Sequence, residues 1–280
     1  MHPLQEAILS WYETHGRRLP WRETQEPYRI LVSEMMLQQT QADRVIQKYQ
    51  LFLKRFPTVK DLAIASPSEV LRYWSGLGYN RRALYLHKCA QALVKEKKFP
   101  REKKELEKLP GLGPYTAAAV LSFAFNKNIA VVDVNIALLY KRIFYPRKDV
   151  EKIALEVLPS GRSRDWHNAL MDIGSLYCHR KNPDCAACPV QKLCASAGDV
   201  KKIENTWETK KVKAFKSSDR IVRGEILKLL LKKNGQEIEL VHRALELQGI
   251  QREKKIFLAI IKKLEDDGLV CLKEKKIFLP

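Results

Sequence analysis

Leu109-Pro110-Gly111-Leu112-Gly113-Pro114-Tyr115-Thr116-Ala117 is followed about twenty residues on by Val132-Asp133-Val134-Asn135. Two glycines one residue apart stand between segments with helical character. Glycine adopts positive φ without a Cβ clash, so the chain can turn sharply there and leave its N–H groups exposed. The helix that follows begins with its positive dipole end facing the same way. Such a turn grips phosphate without using a charged side chain. The same spacing also suits a plain connector between two helices, with Asp133 capping the second.

Working outward, residues before 200 show helical periodicity and no alternating run, so this part is expected to be all α. Helices are expected at Leu4–Tyr12, Tyr28–Phe56, Val59–Ala65, Pro67–Trp74, Arg81–Lys97, Tyr115–Phe125, Asn135–Phe144, Val150–Leu158 and Asp165–Cys178. Lys103–Lys108 leads into the glycine turn. Residues 199–217 are polar and Lys-rich and read as a linker. Beyond them come helices at Arg220–Lys232, Glu237–Leu247 and Arg252–Asp267, then a hairpin turning at Lys273-Glu274. Three helices closed by a two-stranded wing is a winged-helix pattern, which other small α+β modules also produce. The expected organisation is therefore 1–198, a linker at 199–217, and a winged-helix-like domain at 218–280.

The 280 residues carry 51 Lys and Arg against 32 Asp and Glu, a formal charge of +19. That excess suits a polyanionic partner, and nucleic acid is the first candidate. No apolar run is long enough to span a bilayer and no signal-peptide pattern opens the chain, so a soluble, intracellular protein is expected. Four of six cysteines cluster as Cys178-x6-Cys185-x2-Cys188-x5-Cys194. Four thiolates in a compact loop make a cage for zinc or an iron–sulfur cluster, and residue chemistry leaves both open. Cys89 reads as a helix core residue and Cys271 as a strand residue. Glu34 lies in an otherwise apolar helix, Ser33-Glu34-Met35-Met36-Leu37-Gln38-Gln39-Thr40. A carboxyl buried there has a raised pKa and can act as a general acid. Taken on its own it reads sooner as a surface residue of an amphipathic helix, and its context changes that reading.

Leu19-Pro-Trp-Arg22, Pro27-Tyr28, Ser33-Glu34-x-Met-Leu-Gln-Gln-Thr-Gln41, Gly76-Leu-Gly-Tyr79, the glycine turn and the four cysteines occur in the order found in adenine DNA glycosylases. The chain resembles that family over roughly residues 1–197. The hairpin and cysteines are shared with the wider helix-hairpin-helix, or endonuclease III, superfamily. The resemblance implies a two-lobed all-α glycosylase fold and hydrolysis of the N-glycosidic bond of adenine mispaired with guanine or 8-oxoguanine. It implies that Glu34 protonates adenine at N7, that Asp133 stabilises the sugar cation, and that Tyr115 and Asn135 arrange the site. Tyr115 occupies the place of a lyase lysine, which implies a monofunctional enzyme. Arg22 would line the base pocket, and Gln38, Gln39 and Tyr79 would contact the duplex, Gln39 and Tyr79 as a wedge. Leu109, Gly111, Gly113 and Thr116 would belong to the DNA-gripping hairpin.

The cysteine spacing matches the [4Fe-4S] loop of the superfamily, so Cys178, Cys185, Cys188 and Cys194 are its implied ligands. The implied partner is double-stranded DNA carrying a mismatch, met by a monomer in the cytoplasm or nucleoid, with no membrane. Two other readings stay open: a thymine or uracil mismatch glycosylase, and a non-catalytic binder of damaged DNA. The Nudix-like domain with which relatives read 8-oxoguanine is not recognisable in the last eighty residues.

Overall fold

The computed structural model describes residues 2–199 and 218–280, so most of the expected linker lies outside the described residues. Two compact units result. Among described residues, one holds 2–34, 100–108 and 112–199, and the other holds 35–99, 109–111 and 218–280.

The first unit contains α1 (Pro3–His15), the start of α2 (Pro27–Leu37), α7 (Lys103–Leu106), α8 (Pro114–Phe125), α9 (Val134–Ile143), α10 (Val150–Glu156) and α11 (Ser163–Leu176). Its core packs Leu4, Ile8, Ile136, Tyr140, Ile153, Trp166, Leu170 and Ile173 together. Trp166 donates its indole N–H to the Tyr140 hydroxyl at 3.1 Å, so the largest polar atoms of the core are paired. Gly174 permits the close approach of α11 to α9, because a Cβ there would stand 3.2 Å from the Asn135 Cβ. The helix α8 reads apolar all round, and its buried residues Thr116–Ala124 cover every face.

The second unit contains α3 (Ala42–Arg55), α4 (Val59–Ile64), α5 (Pro67–Trp74) and α6 (Arg81–Leu93). At its centre Phe52 packs at a tilt against Phe56 and edge-on against Trp74. To these it adds α12 (Asp219–Lys232), α13 (Ile238–Leu247) and α14 (Lys254–Asp266), with strands β1 (Gln236–Glu237), β2 (Cys271–Lys273) and β3 (Lys276–Phe278). The sheet is antiparallel in the order β1-β3-β2, with Gln236 opposite Ile277 and Leu272 opposite Ile277 on the other side. The C-terminal helices and strands are tied to α5 and α6 by Arg72, which donates to the Leu231 carbonyl at 3.2 Å, and by Asp267, which pairs with Arg81 of α6 as well as with Arg223 of α12.

The described residues before 200 are helical, as expected, and the C-terminal helices carry a wing. Five details differ. The single helix expected over Tyr28–Phe56 is two, α2 and α3, broken at Gln38–Gln41, where Gln39 takes a positive φ of 55°. The wing is three-stranded, because the two-residue β1 pairs with β3 ahead of α13. Its turn falls at Glu274-Lys275, one residue beyond the expected position, with Glu274 at φ 54°. The helix expected to reach Lys97 ends at Leu93, and the one expected to start at Asp165 starts at Ser163.

Candidate active site

In the first unit, α2 carries Glu34 inward. Ile30, Leu31, Val32, Met35 and Met36 around it are buried, and Glu34 itself is 6% exposed. Burial in these surroundings penalises the ionised carboxyl, and the nearby Asp133 carboxylate adds repulsion. Together they push the Glu34 pKa up to about 8, although Arg22 pulls the other way. Glu34 is thus protonated at neutral pH.

Asp133 is the N-cap of α9. Its Oδ1 accepts the backbone N–H groups of Asn135 at 3.0 Å and Ile136 at 2.7 Å, and its Oδ2 accepts the Asn135 side-chain amide at 3.3 Å. The capping role open in the sequence is therefore real, and it coexists with a place beside Glu34. Burial raises the Asp133 pKa, and the three N–H groups oppose that rise by favouring the anion. Two carboxyls thus interact in different environments: both are desolvated, and Asp133 also has donors that favour its anion. That difference separates an acid from an anion. Tyr115, in the first turn of α8, lies close enough to interact with both carboxyl groups. Burial first, then Glu34 and Asp133, raise its hydroxyl far above the ordinary range, so it stays neutral.

Arg22 does not stand free in a pocket. Its two Nη atoms donate to the buried Asp172 carboxylate at 2.7 and 2.9 Å, and further bonds run to the carbonyls of Arg17 and Asn168. Arg17 adds its Nε at 2.6 Å and its backbone N–H at 2.9 Å. Burial alone would raise the Asp172 pKa, but the bonds and charges of Arg22 and Arg17 outweigh it and hold the carboxyl below its usual range. Asp172 in turn balances the Arg22 charge. Near Glu34, burial and the Asp133 charge raise the pKa by more than Arg22 lowers it.

The loop leading to Asp133 is fixed by His167. Its Nε2 accepts the Val131 N–H at 3.0 Å, and its Nδ1 donates to the Ser163 carbonyl at 2.7 Å. Burial lowers its pKa to about 4, so the ring is neutral, as the acceptor role requires.

In the second unit, Gly111 has φ +81°, and an added Cβ would lie 2.5 Å from the Tyr85 Cβ. Both facts demand glycine. Gly113, at φ −86°, is the N-cap of α8, and no side chain caps that N-terminus. Thr116 is buried and Leu109 half-buried. Gln38, Gln39 and Tyr79 line one cleft of about 850 Å3. Tyr79 is 42% exposed and has φ 45°.

Both loops are held by Arg82, which the sequence reading passed over. Its Nη1 donates to the carbonyls of Met35 at 2.7 Å, Met36 at 3.0 Å and Gln38 at 2.6 Å. Its Nη2 reaches the Thr40 hydroxyl at 3.1 Å and the Gly78 carbonyl at 3.2 Å. The guanidinium therefore terminates α2, whose last carbonyls have no helical donor. Burial lowers its pKa to about 10, well above neutrality, so the charge persists.

The cysteine loop is a run of tight turns. The N–H of Cys188 bonds to the Cys185 carbonyl at 3.3 Å, that of Gln191 to Cys188 at 3.0 Å, and that of Cys194 to Gln191 at 3.2 Å. Cys178, Cys188 and Cys194 pack against one core. Burial raises the Cys178 thiol, with Arg142 opposing, and raises Cys188 to about 11. Arg142 donates to the Cys178 sulfur at 3.3 Å and to the His179 carbonyl at 2.8 Å. Among the described residues, no three Cys, His, Asp or Glu side chains close round the position of a single metal ion. No helix among them is long and apolar enough to cross a membrane.

Residues 32–160 match the HhH-GPD superfamily of base excision DNA repair proteins. An adenine DNA glycosylase of Buchnera aphidicola is 39% identical over 201 residues, covering 68% of this chain and 57% of the relative. The adenine DNA glycosylase of Mycolicibacterium smegmatis is 36% identical over 234 residues, covering 80% of this chain and 78% of the relative. The chain belongs to the adenine DNA glycosylase family. A solved thermostable thymine-DNA glycosylase superposes with a TM-score of 0.64 at 32% identity, covering 69% of this chain and 94% of that one.

For this member of the glycosylase family, the structure brings Glu34, Asp133, Asn135 and Tyr115 together, with Arg22 near Glu34. It brings Gln38, Gln39 and Tyr79 to one cleft. Asp172, His167 and Arg82 were not expected. The signal for Asp172 was a carboxylate set between the apolar residues Met171 and Ile173.

Proposed function

We propose that the chain is a monofunctional DNA glycosylase that hydrolyses the bond from adenine N9 to the sugar when adenine faces guanine or 8-oxoguanine. The observation that carries this reading is the burial of the Glu34 carboxyl near Asp133, which raises its pKa. Glu34 gives its proton to adenine N7, and the bonding electrons leave with the base. Asp133, whose anion the Asn135 and Ile136 N–H groups favour, stabilises the cationic sugar. Water then adds at the sugar carbon, and its proton returns to the Glu34 carboxylate. Two carboxyl groups flanking a glycosidic bond are the general requirement of this chemistry. Tyr115 is a neutral phenol and offers no amine for a Schiff base. Gln39 and Tyr79 fill the space left by the flipped nucleotide, and the glycine hairpin holds a phosphate. The substrate is double-stranded DNA.

Cys178, Cys185, Cys188 and Cys194 would hold a [4Fe-4S] cluster. The donor set fits: four thiols on successive turns, with the Arg142 guanidinium hydrogen-bonded to one sulfur. When bound, the cluster would cross-link the loop and so place its basic side chains.

The likeness to a thymine-DNA glycosylase supports one competing reading. Thymine has no N7 for Glu34 to protonate. Duplexes carrying A:8-oxoG, A:G, T:G and U:G pairs, each treated with alkali after incubation, separate the two. Breaks at A:8-oxoG or A:G support the proposal. Breaks only at T:G or U:G, or none, overturn it.

A further inference from the structure

The cleft that holds Gln38, Gln39 and Tyr79 has a second wall, contributed by α12 of the C-terminal module. Six cationic side chains line it, Arg44, Arg81, Arg82, Arg220, Arg223 and Lys228; Glu225 pairs with Lys228 and Asp267 with Arg81 and Arg223, which leaves an excess of positive charge. Arg44 and Arg82 spend hydrogen bonds on backbone carbonyls, and Arg220 donates to the Tyr79 hydroxyl at 2.7 Å. The Arg220 and Arg82 guanidinium groups lie 5.9 and 5.5 Å from the centre of the Tyr79 ring. Two glycines leave bare backbone at the cleft surface, since a Cβ at Gly78 or Gly224 would meet nothing within 4 Å. Gly224 lies inside α12, where glycine is a poor helix former. Its absence of a side chain keeps the cleft open. A cleft of about 850 Å3 accommodates more than one nucleotide. Dense positive charge beside an aromatic ring suits a phosphodiester chain with a stacked base.

We infer that this cleft takes the DNA strand opposite the adenine, so that the C-terminal module is a working wall of the recognition site and Arg220 sets the position of Tyr79 within it. The inference rests on the glycosylase reading for the nature of the ligand. The module reaches the cleft as part of one compact unit with α3–α6, through the Asp267 pairs and the Arg72 bond to Leu231.

The test uses the full chain and two variants, Arg220→Ala and Gly224→Glu. Gly224→Glu adds bulk and negative charge to the cleft and gives α12 a better helix former, so its Tm is expected to equal or exceed that of the parent. Binding is measured against a duplex carrying an uncleavable adenosine analogue opposite 8-oxoguanine, over a range of salt concentrations. Each variant is expected to weaken binding about tenfold and to flatten the salt slope by about 1. Hydroxyl-radical footprints are expected to lose protection on the strand that carries 8-oxoguanine. Unchanged affinity and slope in both variants would overturn the inference, as would loss of protection confined to the adenine strand. Adenine release by the parent chain on the natural duplex is scored separately. A parent that releases nothing while the variants still lose partner-strand protection would refute the glycosylase reading and uphold the cleft.

Discussion

Replacing Glu34 by Gln is expected to make the protein more stable and less active at once. In the unfolded chain a glutamate gives up its proton near pH 4.5, whereas in the fold Glu34 does so near 8. The folded pKa is raised, so wild-type stability is full below pH 4.5, declines as pH rises to about 8, and is flat above that. At pH 7 folding must return a proton to a group the unfolded chain holds ionised. The cost is about 1.4 kcal/mol for each pH unit above 4.5, or about 3 kcal/mol. A neutral amide of the same shape carries no such cost. Glu34→Gln should therefore gain up to about 3 kcal/mol at pH 7, a Tm rise of roughly 6 to 12 °C. The gain should vanish below pH 4.5. Single-turnover adenine release should fall by about 10² to 10⁴, the usual worth of a general acid. Paired melts from pH 4 to 9, with release assays on the same preparations, measure both effects. A pH-independent stability difference, or release at the wild-type rate, would refute the reasoning.

Asp172→Asn strips the counter-charge from a buried guanidinium and should destabilise the protein by about 3 kcal/mol, read by thermal melting. Arg82→Leu leaves the last carbonyls of α2 without donors. It should cost about 2 kcal/mol or more, and amide hydrogen exchange at residues 38–41 and 77–80 should speed up while that of α9 does not. Cys188→Ser should lower the iron content and the visible absorbance of purified protein, and weaken DNA binding more than single-turnover release at saturating enzyme. Iron content equal to the parent's would exclude Cys188 as a ligand.

What could be read from the chain alone followed sequence distance. The glycine hairpin is local. Gly111 needs its positive φ, and Pro114 opens α8, so nine consecutive residues carry the information. Glu34 is announced by the apolar helix around it, and Asp133 by its place at the start of α9. The supports of these groups are remote. Arg22 and Arg17 meet Asp172 across about 150 positions, Arg82 meets the end of α2 across 44 to 47, and His167 reaches Val131 across 36. No periodicity connects such pairs. The break between α2 and α3 was hidden for the same reason. Apolar residues continue through Leu37 and resume at Val45, while the group that ends the helix, Arg82, lies on α6. The two-residue strand β1 exists only through its pairing with Lys276 and Ile277, and a dipeptide carries no pattern of its own.

The central claim is that Glu34 waits as a neutral acid beside an anionic Asp133. Carbon-13 NMR of selectively labelled glutamate, with Glu34→Gln used to assign the Glu34 carboxyl, titrates that group directly. The account predicts a midpoint near pH 8, falling when Asp133→Asn removes the facing charge. A midpoint near 4.5, unmoved by Asp133→Asn, would contradict it.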